Sequence, residues 1–398
     1  MTADVVEEEI FSLVKDLITE CPTGTCPPEE FLGAQFDRGL AWVNHPRGMG
    51  GFDADVRLQA IVNHLVSDAG GPEASAINPI GHGMCAPTLV VWGNETQRDR
   101  FLRPLFTGEE IWCQLFSEPS AGSDIAGLAT RATRTDLGWM INGQKVWTTM
   151  AHRASWGLLI ARSDPDAVKH AGLTAFVLDM SAPGVEVRPL YQMTGEAEFN
   201  EVFFDEVFVP DEDRLGPVGG GWKVAVTTLM NERVSIGGGI PQQGEGPIKY
   251  LMERYLGLCA SQPQSAALHR QDVVELWVRA ETLRLLNIRL AQLRTPGEPG
   301  PEGSIGKILS AQLNKDIYSE LVQLLGPEGM LFGPYARVRP TNAMEYSTPQ
   351  KAFLRSRANS IEGGTTEIMR NILAERMLGM PGDSRSDKGI PWNQIPRG

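Results

Sequence analysis

The spacing of apolar and polar residues changes twice along the chain. Residues 1 to about 112 have the spacing of amphipathic helices, broken by loops rich in Gly, Pro and Asn at 45–53 and 77–87. From Cys113 to about Pro217, short runs of β-branched and aromatic residues recur between turn residues, which predicts antiparallel strands. After Gly221 the helical spacing returns. The pattern therefore predicts a helical segment, a β segment and a second helical segment.

Five strands are predicted in the β segment, at 139–149, 156–162, 173–180, 185–190 and 200–210. Asn142-Gly143 interrupts the first of them. Because Asn and Gly both accept the positive φ angles of a type I′ turn, this dipeptide predicts a hairpin turn.

The second helical segment contains a stretch, 273–293, with apolar residues on most of its circumference. Such coverage is typical of a bundle helix buried on more than one side. Residues 295–304 are too rich in Pro and Gly to continue it, and further helices are predicted at 305–325 and 365–379. The polar residues after Pro381 are expected to be mobile or to serve a subunit contact.

Composition narrows the class of protein. With 398 residues, 42% of them hydrophobic, the chain is long enough for two or three packed units. A formal net charge of -13 opposes non-specific nucleic-acid binding. No apolar run approaches the roughly 20 residues of a membrane span, and the acidic N-terminus is unlike a secretory signal. We therefore expect a cytoplasmic protein with no membrane span.

The five cysteines predict neither a disulfide framework nor a metal site. Only Cys21 and Cys26 lie close together, and they lack the second pair or the His partners of a zinc site. All five are expected to be reduced thiols, and no metal is predicted.

The loop FSEPSAGSDIAG (116–127) has the composition of a ligand-binding segment. Its glycines permit a close approach of the backbone, and its serines supply hydroxyls beside free N–H groups. The residues alone leave open whether it binds a ligand or forms a structural turn.

Segments in the order of one known family extend over most of the chain. Residues Ser117 to Asp124 resemble the Ser/Thr-Glu-Pro-x-x-Gly-Ser-Asp signature of the FAD-dependent acyl-CoA dehydrogenases. The segments that follow are also similar to that family; they are INGQKVWTT (141–149), FNEVFFDEVFVP (199–210), LGPVGGGWKVA (215–225), VQLLGPEG (322–329) and IEGGTTEIMRNILAERMLG (361–379).

The resemblance implies a multidomain α+β fold. Its parts would be a helical N-terminal domain (1–112), an antiparallel β-barrel or sandwich middle domain (113–217), a C-terminal four-helix bundle (218–380) and a tail (381–398). It also implies an enzyme that introduces a 2,3-double bond into an acyl-CoA thioester.

The cofactor implied by the resemblance is FAD, and the residues implied to bind it are Leu115, Phe116, Ser117, Gly122, Ser123, Trp147, Thr148, Thr149, Gln323, Gly326, Thr365 and Glu367. Gln323 and Gly326 would reach the adenosine end of a neighbouring subunit's FAD, although both also suit an ordinary helix C-terminus. Ser123 and Arg233 are the candidate contacts to the CoA substrate. Trp147 is also compatible with a plain core aromatic residue.

Two glutamates compete as the base that removes the α-proton. In many family members the base immediately precedes Gly-Thr, but here Gly363 holds that position and Glu362 is one residue too early. Such an offset turns a side chain by about 100° in a helix. In another branch of the family the base precedes an Arg on a bundle helix, as in Glu232-Arg233. Glu232 is therefore the predicted base and Glu362 the alternative.

The implied partners are an acyl-CoA substrate, an electron-transfer flavoprotein as acceptor and further subunits. The assembly would be a homo-oligomer (a dimer of dimers) or a hetero-oligomer. The family's Arg-x-x-x-Phe-Gly contact to a neighbouring FAD has no counterpart in residues 250–273. Two alternatives stay open: an oxidase of the same fold that uses oxygen, and a non-catalytic, FAD-binding subunit.

Overall fold

The computed structural model describes residues 3–237, 240–293, 300–333, 337–341, 347–382 and 387–396. Its α-helices in chain order are α1 (Ala3–Glu20), α2 (Pro28–Asp37), α3 (Gln59–Asp68), α4 (Ala74–Ile77), α5 (Ala86–Trp92), α6 (Glu95–Thr107), α7 (Gly221–Gly237), α8 (Pro247–Ser261), α9 (Pro263–Leu293), α10 (Gly303–Gln323), α11 (Pro349–Ser356) and α12 (Thr366–Arg376). Its strands are β1 (Trp112–Leu115), β2 (Arg131–Arg134), β3 (Gly138–Thr149), β4 (Trp156–Arg162), β5 (Leu173–Asp179), β6 (Val185–Leu190), β7 (Phe199–Pro210) and β8 (Arg214–Leu215).

The first helices share a core because each presents one apolar stripe. Ile10, Val14 and Leu17 of α1 lie at helical spacing and pack with Phe31 of α2 and Val62 of α3. All five side chains are buried. Tertiary packing of this kind, rather than intrinsic propensity, supplies most of the stability of such helices.

The prediction of reduced thiols is wrong for one pair of cysteines. Cys21 and Cys26 form a disulfide in the turn between α1 and α2. A close pair of cysteines is compatible with a zinc site, a disulfide or two thiols, and spacing alone does not separate them. Cys85, Cys113 and Cys259 are free.

The eight strands form one sheet in the order β6-β7-β3-β2-β4-β5-β8, with β1 added parallel to β4. Its inward residues split between two cores. Trp112 and Leu158 face the N-terminal helices. Leu115, Leu159 and Phe176 face the other side. This two-sided burial explains the almost continuous apolar runs of β4 and β5.

The predicted hairpin turn at Asn142-Gly143 is also wrong. Both residues lie inside β3, and the turn that joins β2 to β3 comes before Gly138. The pairing of β3 with β7 shifts its register between Ile141 and Gly143, so the dipeptide forms a β-bulge. Glycine serves a bulge as readily as a turn, because its φ is unrestricted.

We expect Gly143→Ala to destabilise the protein by about 1–3 kcal/mol. Gly143 has a φ of 154°, and a Cβ atom there would lie 2.7 Å from the Cα of Thr130. Urea unfolding followed by circular dichroism measures the change. Gly257→Ala is the matched control, because no atom lies within 4 Å of its added Cβ. A Gly143→Ala midpoint as high as that of the control would contradict the bulge.

Helices α7, α8, α9 and α10 form the C-terminal bundle. Leu251 of α8, Val273 of α9 and Leu313, Ile317 and Leu321 of α10 supply its buried core. Helix α7 begins at Gly221 directly against the backbone of β5, since a Cβ there would lie 2.7 Å from the Cα of Thr174. This close contact between Gly221 and β5 holds the N-terminus of α7 against the sheet, while the helix continues into the bundle.

Residues 387–396 pack against the β segment instead of extending into solvent. Pro391 forms an isolated antiparallel β-bridge with Val168. The backbone N–H of Trp392 donates to the carbonyl of Ala167 at 3.0 Å. The expectation of mobility therefore does not hold for this stretch.

Within the part of the chain that the structure describes, no helix has both the length and the apolar character needed to cross a membrane.

Candidate active site

The loop at 116–127 leaves β1 with its first residues packed inward. Leu115 and Phe116 are buried, and Ser117 is half-buried. The carbonyl of Ser117 accepts the N–H of Val146 at 2.9 Å, which joins the loop to β3. Gly122 and Ser123 lie at the exposed end of the loop. The structure thus places the start of the loop beside β3 and its far end at the surface.

A buried ion pair lies beneath this loop. The Nζ atom of Lys145 is 2.8 Å from the Oε1 atom of Glu118 and 2.9 Å from the carbonyl oxygen of Phe116. Glu118 also accepts the N–H groups of Ala129 and Thr130 at 2.6 and 2.8 Å. Burial alone would raise the pKa of Glu118, but Lys145 and these N–H donors hold that pKa below its ordinary value. Burial lowers the pKa of Lys145, and Glu118 raises it. The pair anchors Phe116 and Glu118, at the start of the loop, to β3.

Trp147 has an unusual backbone and an unusual exposure for its type. Its φ is 61°, in the left-handed region, where the register between β3 and β7 shifts a second time. The residue is 58% exposed, and its ring packs edge-on against the Phe199 ring with the two ring centres 5.8 Å apart. Left-handed backbone in a bulky residue is costly and is concentrated at ligand sites. The side chain is therefore not the plain core aromatic that the sequence left open.

The two threonines after Trp147 differ in their surroundings. Thr148 is buried, and its hydroxyl has no hydrogen-bond partner among the described residues. Thr149 is half-buried at the end of β3. A buried hydroxyl without a hydrogen-bond partner is destabilising unless a ligand or a water molecule forms a hydrogen bond with it.

Glu232 lies on α7, facing β1. Gln114 of β1 donates a long hydrogen bond of 3.5 Å to the Oε2 atom of Glu232. Burial raises the pKa of Glu232 to about 7, and the nearby charge of Glu362 acts in the same direction. Gln114, Arg233 and Lys307 act in the opposite direction. Because Gln114 is two residues before Phe116, Glu232 lies next to the start of the 116–127 loop.

Glu362 is engaged in a different network. Both of its carboxylate oxygens contact Arg355, at 3.2 and 3.0 Å, and Asn359 donates to one of them at 2.7 Å. Arg355 also binds Glu198 at 2.8 Å, so the network joins α11 to the residue that directly precedes β7. This bidentate pairing engages both carboxylate oxygens of Glu362. The residue that follows, Gly363, has a φ of 63°.

The remaining candidates lie at the start of α12, at the end of α10 and on α7. Thr365 caps α12, where its hydroxyl accepts the N–H of Ile368 at 3.2 Å, and Glu367 in the first turn of α12 is exposed. Gln323 ends α10 and Gly326 follows it with a φ of 60°; both are exposed. Arg233 is half-buried beside Glu232, and burial lowers its pKa.

Residues 387–396 hold the far end of the 116–127 loop. Lys169 pairs with Asp124 of the loop and, at 2.8 Å, with Asp387. The indole N–H of Trp392 donates to the carbonyl of Gly127 at 3.2 Å. Arg162 lies 4.6 Å from the centre of the Trp392 ring and donates to the carbonyl of Ala126 at 2.6 Å. No sequence motif signals the contacts of Asp387 and Trp392, because their partners lie more than 200 positions earlier in the chain.

Three models of acyl-CoA dehydrogenase domains match the chain in order. The N-terminal domain matches residues 1–109, the middle domain 113–207 and the C-terminal domain 219–378. The chain is also 34% identical over 352 residues to the acyl-CoA dehydrogenase IpdE1 of Mycobacterium tuberculosis, which covers 87% of this chain and 86% of IpdE1. The chain belongs to the acyl-CoA dehydrogenase family.

Other members of the acyl-CoA dehydrogenase family extend the comparison. The chain is 41% identical over 298 residues to FadE34 of Mycobacterium tuberculosis, but the match spans 74% of this chain and only 39% of FadE34. Among solved structures, the steroid ACAD Tcur3481-Tcur3483 gives a TM-score of 0.73 at 23% identity, covering 96% of this chain and 99% of that one. Butyryl-CoA dehydrogenase of Megasphaera elsdenii gives 0.68 at 23% identity, with 94% and 98% covered. These structures confirm the predicted fold.

One acyl-CoA dehydrogenase motif stays without a counterpart. Residues 250–273, where an Arg-x-x-x-Phe-Gly contact to a neighbouring FAD was sought, form most of α8 and the start of α9. Arg254 is exposed in the middle of α8.

Proposed function

We propose that this protein is an FAD-dependent acyl-CoA dehydrogenase in which Glu232 removes the α-proton of the acyl-CoA thioester. The observation that carries the proposal is the contrast between two carboxylates. Glu232 faces β1 beside the signature loop with a raised pKa, whereas Glu362 is held in two contacts by Arg355. A general base works best when its pKa lies near the operating pH, and Glu232 meets that condition.

The residues of the site fit the predicted flavin. The exposed Trp147 ring offers a flat apolar face, and the hydroxyl of Thr148 is a buried group without a partner among the described residues. Leu115, Phe116 and Ser117 would lie against the ring system, Thr149 would hydrogen-bond it, and Gly122 and Ser123 would meet its phosphates or the CoA. When bound, FAD supplies the acceptor for the hydride that leaves the β-carbon.

The protein's own part in the reaction is proton transfer and positioning. An Oε atom of Glu232 accepts the α-proton, and Gln114 orients that carboxylate through its amide. Arg233, beside Glu232, is the proposed contact to the CoA thioester. The buried Glu118–Lys145 pair keeps the loop backbone in place while these groups act.

Anaerobic reduction of the purified yellow protein tests the proposal. A panel of short, long, branched and steroid-derived acyl-CoA thioesters is added, and bleaching of the flavin absorbance is followed. Reduction by any of them supports a dehydrogenase, and admission of air with a peroxide assay separates it from an oxidase. A protein that binds FAD and is reduced by none of the thioesters would favour the non-catalytic subunit instead.

The rate of flavin reduction is expected to rise with pH and to level off above about 8. Only the ionised carboxylate of Glu232 accepts a proton, and its pKa is about 7. Below that pH the rate should therefore fall about tenfold per pH unit. Stopped-flow reduction at a saturating thioester concentration measures the profile. A rate already constant from about pH 5 upward would mean that the base has an ordinary carboxyl pKa.

We further propose that the enzyme is an oligomer that passes its electrons to an electron-transfer flavoprotein. The exposed positions of Gln323 and Gly326 support the first part, because they leave both residues accessible to a neighbour's FAD. Thr365 and Glu367 at the start of α12 are the other proposed cofactor contacts. Sedimentation of the FAD-loaded protein distinguishes a monomer from a dimer of dimers.

A further inference from the structure

A lysine is buried beneath the turn that follows Glu362. Lys307 of α10 is fully buried, and its Nζ atom donates to the carbonyl of Gly364 at 2.5 Å. Gly363 and Gly364 both have left-handed backbone, with φ of 63° and 92°. Because glycine adopts many backbone conformations, a turn made of two successive glycines has little intrinsic preference for one of them. The hydrogen bond from Lys307 therefore fixes the turn against α10.

One hydrogen bond is too weak to compensate for removing an ammonium group from water. Burial of a charged amine is destabilising unless other charges compensate it. The acidic groups that face Lys307 are Glu362 of the turn, Glu232 of α7 and Glu367 of α12, and Lys315 of α10 is the basic one. Glu362 is already paired with Arg355. Burial lowers the pKa of Lys307, whereas Glu362 and Glu232 raise it. Lys307 thus faces both carboxylates from α10.

Among the described residues, the charged groups that act on Glu232 lie on α7, on α10 and on the turn at Glu362. Arg233 lies on the same helix, Lys307 on α10 and Glu362 on the turn, while β1 contributes the neutral Gln114. Arg376 of α12 is close to Arg233 and opposes its charge. The negative charge of Glu362 disfavours ionisation of Glu232, and Lys307 is placed to offset that repulsion.

We propose that Lys307 is a positioning residue for proton abstraction: it locks the Gly363–Gly364 turn and keeps the carboxylate of Glu232 ionised opposite Glu362. The inference rests on the proposed function, since it assigns Lys307 a part in the reaction of Glu232. A purely structural anchor would affect stability and flavin content but would leave the pH dependence of the reaction unchanged.

The test compares pH profiles of flavin reduction by an acyl-CoA that reduces the wild-type holoenzyme. Lys307→Met removes the charge at nearly constant volume, and we expect its midpoint to lie about one pH unit above that of the wild type. Well below the midpoint this corresponds to about a tenfold lower rate, with little loss at high pH. Lys307→Arg keeps the charge and should restore the wild-type midpoint. Lys249→Met, which removes an exposed lysine of α8, controls for the loss of a lysine from the bundle.

A second variant keeps the test decisive if Lys307→Met does not fold. Glu362→Gln removes the opposing negative charge, so its midpoint should lie below that of the wild type. The inference is overturned if a folded Lys307→Met holoenzyme keeps the wild-type midpoint, or if Glu362→Gln leaves the midpoint unchanged. A wild-type protein that no acyl-CoA reduces would instead refute the proposed function, so the two failures are distinguishable.

Discussion

Glu232→Gln should reduce the rate of flavin reduction by an acyl-CoA by at least about 10³-fold while leaving the flavin bound. The amide is nearly isosteric with the carboxylate but cannot accept the α-proton. Because Gln114 donates at 3.5 Å to an oxygen that the amide retains, the local packing should survive. Anaerobic stopped-flow gives the rate, and the flavin spectrum gives the cofactor content.

The same experiment on Glu362→Gln separates the two candidate bases. Glu362 is bound by Arg355 and Asn359, so its loss should perturb the turn and the charge near Glu232 without removing the proton acceptor. We expect a rate within about tenfold of the wild type at high pH. If Glu362→Gln were inactive and Glu232→Gln were reduced at the wild-type rate, the assignment of the base would be wrong.

Lys145→Met should lower the free energy of unfolding by about 3–5 kcal/mol, because it leaves the buried carboxylate of Glu118 without its ion-pair partner. The N–H groups of Ala129 and Thr130 remain, but the two-contact anchor of Lys145 to Glu118 and Phe116 is lost. Since this anchor holds the start of the 116–127 loop, the variant should also retain less FAD. Urea unfolding and the ratio of flavin to protein absorbance measure the two effects.

Two further variants show whether the loss of the buried ion pair causes the destabilisation of Lys145→Met. The double variant Glu118→Gln with Lys145→Met removes both charges, so it should be less destabilised than the sum of its single variants. Lys249→Met breaks an exposed ion pair with Glu245 and should leave the free energy of unfolding nearly unchanged, because solvent screens such pairs. If Lys145→Met were as stable as Lys249→Met, the buried pair would not hold the loop.

The sequence predicts the elements well where local rules decide the structure. The strand predicted at 185–190 is β6 to the residue, and that at 156–162 is β4. The helix predicted at 305–325 is α10, shifted by two residues. The errors arise where one local pattern serves two structures: Asn142-Gly143 suits a turn or a bulge, and Cys21 with Cys26 suits thiols or a disulfide.

The residues of the candidate site were likewise predicted only in part. The resemblance directs attention to Ser117, Trp147 and Glu232, but it is silent about the groups that hold them. Gln114 reaches Glu232 across 118 positions of sequence. Arg355 reaches Glu198 across 157 positions. Such contacts depend on how helices cross the sheet, which periodicity does not specify. Lys145 follows Asn142 and Gln144 in β3, so the sequence does not distinguish this buried lysine from an exposed one.

The contact between residues 387–396 and the 116–127 loop has a consequence for biosynthesis. Trp392 and the Gly127 carbonyl that it binds are separated by 265 positions. At translation rates of about 5–20 residues per second, roughly 10 to 50 s pass between the synthesis of the two partners. Throughout that interval the nascent β segment lacks the indole that covers Arg162. The loop is therefore completed only after residues 387–396 have been synthesised, and a chaperone present during that delay would meet it without this contact.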